Sequence, residues 1–200
     1  MINDKNKILA TLQDRKETIL ELGCGPTKKF PNSISIDMID FPSVDIIADV
    51  NGGLGFLPEN SVDLIYSSHF LEHLKDINHF MTEAYRVLKP GGKLIGVVPH
   101  FSNPHYFSDP THKTFFGLYT FAYFSKEQYF GRKIPMFYNE INFKIIKIKI
   151  SFGSRYLFWR IGKLITQIFV NSHPTMQEFY EENFCYLTPA NEIIFELEKK

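Results

Sequence analysis

Cysteine is nearly absent: Cys24 and Cys185 are the two in 200 residues, with no CxxC pair. That argues against a disulfide framework and against a cysteine-ligated zinc site. Net charge is absent too, 22 Lys and Arg standing against 22 Asp and Glu. No overall positive field therefore draws nucleic acid or an anionic membrane, and only local basic patches remain open. The opening MINDKNKILATLQDRKET lacks the apolar run of a secretion signal. No stretch approaches the roughly 18–20 apolar residues of a membrane span. Internal repeats, low-complexity tracts and linkers are missing as well. What is left is one globular domain over residues 1–200, expected in the cytoplasm and long enough to bury a core. Aromatics are plentiful, with 20 Phe and 10 Tyr, much of them after residue 100.

Apolar periodicity predicts a short amphipathic helix over 3–16 and strands over 18–22, 33–37, 44–48 and 61–67. A helix follows over 75–88, stopped by Lys89-Pro90-Gly91-Gly92, and then a buried strand over 93–98. Residues 99–117 read as a long loop, 118–130 and 155–170 as helices, and 142–150 and 191–197 as strands. Continuous apolar strands alternating with helices or loops indicate an α/β fold with a parallel sheet covered on both faces.

In such a sheet, ligands sit beyond the carboxyl ends of the strands. The first strand ends at Glu21-Leu22-Gly23-Cys24-Gly25, whose glycines permit close backbone approach. A GxG alone is a weak signal, and the order of features after it carries the weight. ILELGCG, then SIDM, ADV, DLIYSSHFLEHL and RVLKPGGKLIGVVP resemble the class I S-adenosylmethionine-dependent methyltransferases, type-11 branch, over about residues 18–100. The resemblance implies one Rossmann-like domain with a mostly parallel seven-stranded sheet, an antiparallel edge hairpin and a shortened helix between the first two strands. Residues 18–100 become the cofactor half and 101–200 the acceptor half. It further implies S-adenosyl-L-methionine as cofactor. Glu21, Gly23, Cys24 and Gly25 then face its methionine part, Asp37 with Met38 its ribose, and Asp49 with Val50 its adenine. The Ser67, Ser68 and His69 backbone would line the pocket.

A carboxylate can accept both ribose hydroxyls at once, which suits Asp37. A dinucleotide fingerprint would need GxGxxG running straight into a helix and an acid about 20 residues on. Here Pro26 follows Gly25, and Asp37 comes only 14 residues after Gly23. The same spacing departs from the usual methyltransferase pattern, so the intervening helix is shortened or replaced by a loop. Lys28 and Lys29 there either touch a cofactor carboxylate or substrate phosphate, or form a solvated basic loop.

Methyl transfer from a sulfonium is a one-step displacement that needs alignment and, for an oxygen or nitrogen acceptor, a base. His100, His105, Asp109 and His112 cluster just beyond the fifth strand and are the catalytic candidates, one His serving as base. Three His and an Asp also suit a metal. Class I enzymes acting on small molecules mostly need none, and no metal is assigned. Glu72 and His73 are read as orienting the start of the next helix. The DPTHKTFFG motif resembles type-11 enzymes of bacterial surface-polysaccharide biosynthesis, implying O-methylation of a sugar, nucleotide-sugar or similar small polar acceptor. Phe107, Phe115, Phe116, Tyr119, Tyr123 and Phe124 form either a pocket wall or core. The apolar segment 155–170 is a core helix, a lid, a homodimer contact or a peripheral membrane contact. N- or C-methylation of a small metabolite, or an inactive cofactor-binding partner protein, are the alternatives.

Overall fold

The computed structural model describes residues 2–135 and 137–200. Its centre is built from strands β2 (Ile19–Leu22), β3 (Ile34–Asp37), β4 (Ile46–Ile47), β5 (Val62–Ser68) and β6 (Leu88–Pro99). Branched apolar residues, with the small Ser35 buried beside them in β3, let these strands pack against cover on each side. Leu20, Ile34, Ile36, Ile46, Ile65 and Leu94 are all fully buried. Pairing is parallel for β2–β3, β3–β4, β2–β5 and β5–β6. At one edge β7 (Phe143–Ser151) and β8 (Glu192–Lys199) form an antiparallel pair, β8 lying beside β6. Outermost β7 alternates buried Phe143, Ile145, Ile148 and Ile150 with exposed lysines, apart from one register shift.

With β1 (Asn3–Asp4), the sheet has eight strands among the described residues, in the order β1-β4-β3-β2-β5-β6-β8-β7, one more than the seven expected. The extra one, β1, pairs antiparallel with β4. It replaces the start of the helix expected over 3–16. Asp4 accepts the Ile8 and Leu9 amides, so that only a short 3-10 turn over Ile8–Asp14 forms. Between β2 and β3 there is no helix, shortened or otherwise, but a looped connection.

Helix α1 (Ile77–Val87) starts where Asp76 caps the Asn78 and His79 amides. It ends directly in β6. The Pro90-Gly91-Gly92 stretch is absorbed as an irregularity in the β5–β6 ladder, where pairing jumps from Val62–Leu88 to Leu64–Lys93. The helix expected over 118–130 shrinks to a 3-10 turn, Thr120–Phe124. Its TFAYF sequence has low helix propensity, while Phe121 and Phe124 bury into the core, Phe121 stacked on Phe195 at 4.0 Å. Helix α2 (Leu157–Val170) forms as expected, but a core position for it is wrong: Val170 is its one buried residue. Phe158, Trp159, Ile161, Ile165 and Ile168 are all more than 60% exposed. Helix α3 (Pro174–Asn183) was not foreseen, although Pro174 at its first turn behind the capping His173 is a start signal.

Candidate active site

The carboxyl ends of β2, β3, β4 and β5 bring Gly23–Gly25, Asp37, Asp49 and Ser67–His69 to one edge of the sheet. Gly23 must be glycine: φ is +65°, and an added Cβ would lie 2.5 Å from Phe70. Gly25 also has positive φ, +57°, but opens onto empty space. Cys24 is half-buried, and burial pushes its thiol pKa up, which makes it a poor nucleophile.

Glu21 does not face this edge as a free ligand. Its buried carboxylate accepts the Lys29 amide at 2.8 Å and the Phe30 amide at 3.1 Å, together with the Ser33 hydroxyl. It clamps the connection that replaces the missing helix, where backbone donors would otherwise go unpaired. The loop lysines have protein partners, although Lys29 is exposed. Lys28 pairs with Asp45, and Lys29 bonds the Tyr66 hydroxyl at 2.8 Å.

Asp37 is half-buried, with Oδ2 accepting the Gly25 amide at 3.1 Å and Oδ1 the Ile39 amide at 2.9 Å. Each oxygen keeps lone-pair capacity for a further donor. Met38 beside it is 67% exposed. Asp49 is exposed and binds Asn51 through Oδ1 alone, which holds its carboxyl below the usual range. The neighbouring Val50 is buried.

His69 stands just past β5 at a left-handed φ of 51°. Its ring sits between Glu192 of β8, 3.2 Å away, and Glu72, 3.4 Å away. The hydrogen bond to Glu192 first, and that to Glu72 second, push its pKa up to about 10. The same bond holds the Glu192 carboxyl low. Neither glutamate was singled out from the sequence as a site residue. Glu192 lies 123 positions from His69, and no local signal joins them.

The four catalytic candidates divide. His100 is fully buried, its Nδ1 on Ser102 at 2.8 Å and its Nε2 on Glu181 of α3 at 3.0 Å. Glu181 also accepts the Leu118 amide, so His100 belongs to a packing network and is no free base. Asp109 bonds Thr111, and His112 Nδ1 meets the Tyr106 carbonyl at 2.9 Å. His105 is exposed and its ring makes no hydrogen bond among the described residues. With Pro104, Ser154, Arg155, Lys163 and Asn191 it lines a cavity of about 450 Å³. Burial lowers the Lys163 pKa. Of the six aromatics, Phe116 and Phe124 are core, while Phe107 and Phe115 are exposed.

A larger cavity, about 850 Å³, lies between Phe101, Tyr119, Arg132 and α3, with Glu178, Glu181 and Glu182 in its wall. It shares no residue with the glycine turn or with Asp37 and Asp49. Shape alone would favour it, but the convergence of strand ends favours the edge described above.

Residues 40–96, from just after Asp37 into the paired part of β6, match a methyltransferase domain, that of the type-11 family. The structure of an S-adenosylmethionine-dependent methyltransferase from Mesorhizobium loti superposes with a TM-score of 0.55 at 14% identity, covering 98% of each chain. One from Archaeoglobus fulgidus gives 0.52 at 15%, covering 96% of this chain and 90% of that one. A methyltransferase domain matches over residues 40–96, and the whole chain has the fold of solved S-adenosylmethionine-dependent methyltransferases.

Demethylmenaquinone methyltransferases from two strains of Tropheryma whipplei are 42% identical over 65 residues, 32% of this chain. The match spans 26% of those relatives' length. A phosphoethanolamine N-methyltransferase from Haemonchus contortus, solved with S-adenosyl-L-methionine, shares the fold with a TM-score of 0.53 at 14% identity, over 98% of this chain and 52% of that one. No helix among the described residues is long and apolar enough to cross a membrane.

Proposed function

We propose that the chain transfers the methyl group of S-adenosyl-L-methionine to a hydroxyl of a small anionic acceptor, a nucleotide-sugar or phosphorylated sugar. The cavity that holds His105 carries this reading. Arg155 and Lys163 supply positive charge, Tyr156 an aromatic face, and among the described residues no carboxylate lines the wall. Arg in particular matches phosphate geometry. Asn191 in the wall precedes Glu192, which reaches His69 at the end of β5, so the cavity adjoins the cofactor edge.

For the cofactor, the donor set fits. Asp37 retains acceptor capacity for two ribose hydroxyls, and the Asp49 Oδ2 that Asn51 leaves free suits the adenine amino group. The Val50 amide would lie beside that base. Gly23, Cys24 and Gly25 give a turn with no side chain in front of Gly25, and the Ser67–His69 backbone would close the pocket opposite Asp37. The bound cofactor supplies an electrophilic methyl on a sulfonium. His105, whose ring makes no hydrogen bond among the described residues, would take the proton of the acceptor hydroxyl. Both cysteines are free, which suits the reducing cytoplasm where nucleotide-activated acceptors are made.

One observation favours a second reading, an acceptor carried by a lipid. Helix α2 shows its apolar residues to solvent, has Arg160 and Lys163 and no acid, and borders the His105 cavity through Lys163. Such a face suits an anionic membrane surface, and the relative from Tropheryma whipplei is named for a quinone.

The test is calorimetry with S-adenosyl-L-methionine, followed by turnover with labelled cofactor on nucleotide-sugars, with and without anionic phosphatidylglycerol vesicles. The expected result is micromolar cofactor binding and turnover that His105→Gln removes while binding persists. Absence of cofactor binding by the folded wild type sinks the proposal. Turnover only of a vesicle-borne acceptor transfers it to the second reading.

A further inference from the structure

We propose that Glu72, His73 and His112 hold a divalent transition-metal ion beside the methyl-transfer edge, with Asp109 as a further donor. From the sequence, the loop histidines alone suggested ligands and no metal was assigned. The fold selects one loop histidine and joins it to two residues of the LEH turn after β5. One ligand atom from each of Glu72, His73 and His112 lies within 4.8 Å of the others. With metal–nitrogen bonds of about 2.0 Å, ligand atoms stand roughly 3.3 Å apart, so a small inward movement closes the set.

The protons of the site are already assigned by its hydrogen bonds. The Thr111 hydroxyl donates to Asp109, so it receives a hydrogen bond from His73 Nδ1, 2.9 Å away. The His112 Nδ1 faces the Tyr106 carbonyl at 2.9 Å and is a donor as well. Both rings therefore keep Nδ1–H outward and leave Nε2 with its lone pair. That is the arrangement in which metal-bound histidines are oriented by a hydroxyl, carbonyl or carboxylate behind them. The rings stand edge to face, with centroids 5.0 Å apart.

An independent observation comes from Glu72. It is 1% exposed, and its Oε2 has no hydrogen-bond partner among the described residues. A buried carboxylate oxygen without a donor is costly, and a cation is what commonly relieves it. The turn itself is held firmly, since the Glu72 carbonyl accepts both the Lys113 and Thr114 amides. Asp109 Oδ2 stands 3.6 Å from His112 Nε2, too far for a hydrogen bond and close enough to join the same ion. Two imidazoles with carboxylates suit zinc or manganese better than magnesium or calcium. Glu72 also touches His69, which places the ion next to the cofactor edge. There, resting on the proposed O-methyl transfer, it would bind the acceptor hydroxyl and ease loss of its proton to His105.

The experiment is calorimetric titration of metal-stripped protein with Zn²⁺, and visible absorption with Co²⁺, in the wild type and in His73→Ala, His112→Gln, Thr111→Ala and His79→Ala. Circular dichroism checks each fold. One ion per chain is expected. Affinity should fall more than 100-fold for His73→Ala and His112→Gln, roughly 10-fold for Thr111→Ala, and not at all for His79→Ala. A wild-type Co²⁺ spectrum like that of the free aquo ion overturns the proposal. So does Zn²⁺ affinity unchanged from wild type in both the His73 and His112 variants. Cofactor calorimetry on the same samples separates the two ideas: metal binding without cofactor binding leaves the site standing and removes the proposed function.

Discussion

Replacing Glu21 tests how a sheet with no helix after its first central strand keeps its glycine turn in shape. Glu21→Ala removes the carboxylate that accepts the Lys29 and Phe30 amides and the Ser33 hydroxyl. Glu21 is 3% exposed, and Ser33 is buried as well. Each buried donor left without a partner costs about 1–3 kcal/mol, though a rotating hydroxyl recovers part of this. With two amides stranded, the expected loss is about 2–4 kcal/mol, a large share of the roughly 5–15 kcal/mol typical of a domain. In a chain of this size that lowers the melting temperature by about 5–15 °C. Glu21→Gln keeps one acceptor oxygen but turns an NH₂ toward an amide donor, and should fall between wild type and Ala. Urea unfolding followed by circular dichroism, with an unchanged m-value, measures the loss. Cofactor affinity should weaken in the same order, because the displaced loop begins at Gly25. Stability of Glu21→Ala within about 0.5 kcal/mol of wild type would refute the clamp. If cofactor binding vanished at that unchanged stability, Glu21 would instead be a direct ligand.

Two more outcomes are expected. Gly23→Ala meets both a φ of +65° and Phe70 at 2.5 Å, so it should abolish cofactor binding and cost at least about 2 kcal/mol, read by calorimetry and by the same unfolding assay. Stability should also fall in acid through Asp45 and Asp63. For each, burial works against ionisation but hydrogen bonds, from Lys28 and Ser35 and from Lys89 and Thr18 respectively, outweigh it and hold the carboxyl below its ordinary value. A depressed folded pKa gives stability that is full above the unfolded value of about 3.9 and is lost as pH falls through the folded one. Unfolding midpoints measured from pH 6 to pH 2.5 should therefore drop below about pH 4, and Asp45→Asn should be less stable at pH 6 with a shallower acid decline; an unchanged acid slope would count against these pairings.

Much of this protein is written locally. The short runs at 18–22, 33–37, 61–67 and 93–98, rich in Ile, Leu and Val and bounded by turn residues, read as buried strands, and Gly23, Asp37 and Asp49 followed at or after the ends of strands. Hydrophobic pattern and turn chemistry act over a few residues, and those are the forces that made these elements and the cofactor edge readable. The eighth strand was not readable, because two residues carry no period and β1 exists only by pairing with β4. The solvent-facing position of α2 was hidden for a related reason: an apolar helix has the same pattern whether or not a neighbour covers it.

Side-chain partnership across the sheet was decided by tertiary structure alone. His100, His105 and His112 look alike in a loop of similar residues. Packing against α3 buried the first with Glu181, left the second open beside Arg155 and Lys163, and carried the third to Glu72 and His73. Which imidazole keeps a free nitrogen depends on groups many residues away, and no sequence spacing encodes that distance. The sequence by itself determined a parallel α/β sheet with its acids at the carboxyl edge; the assembled fold decided which histidine is a strut, which is open to an acceptor and which faces a carboxylate without a partner.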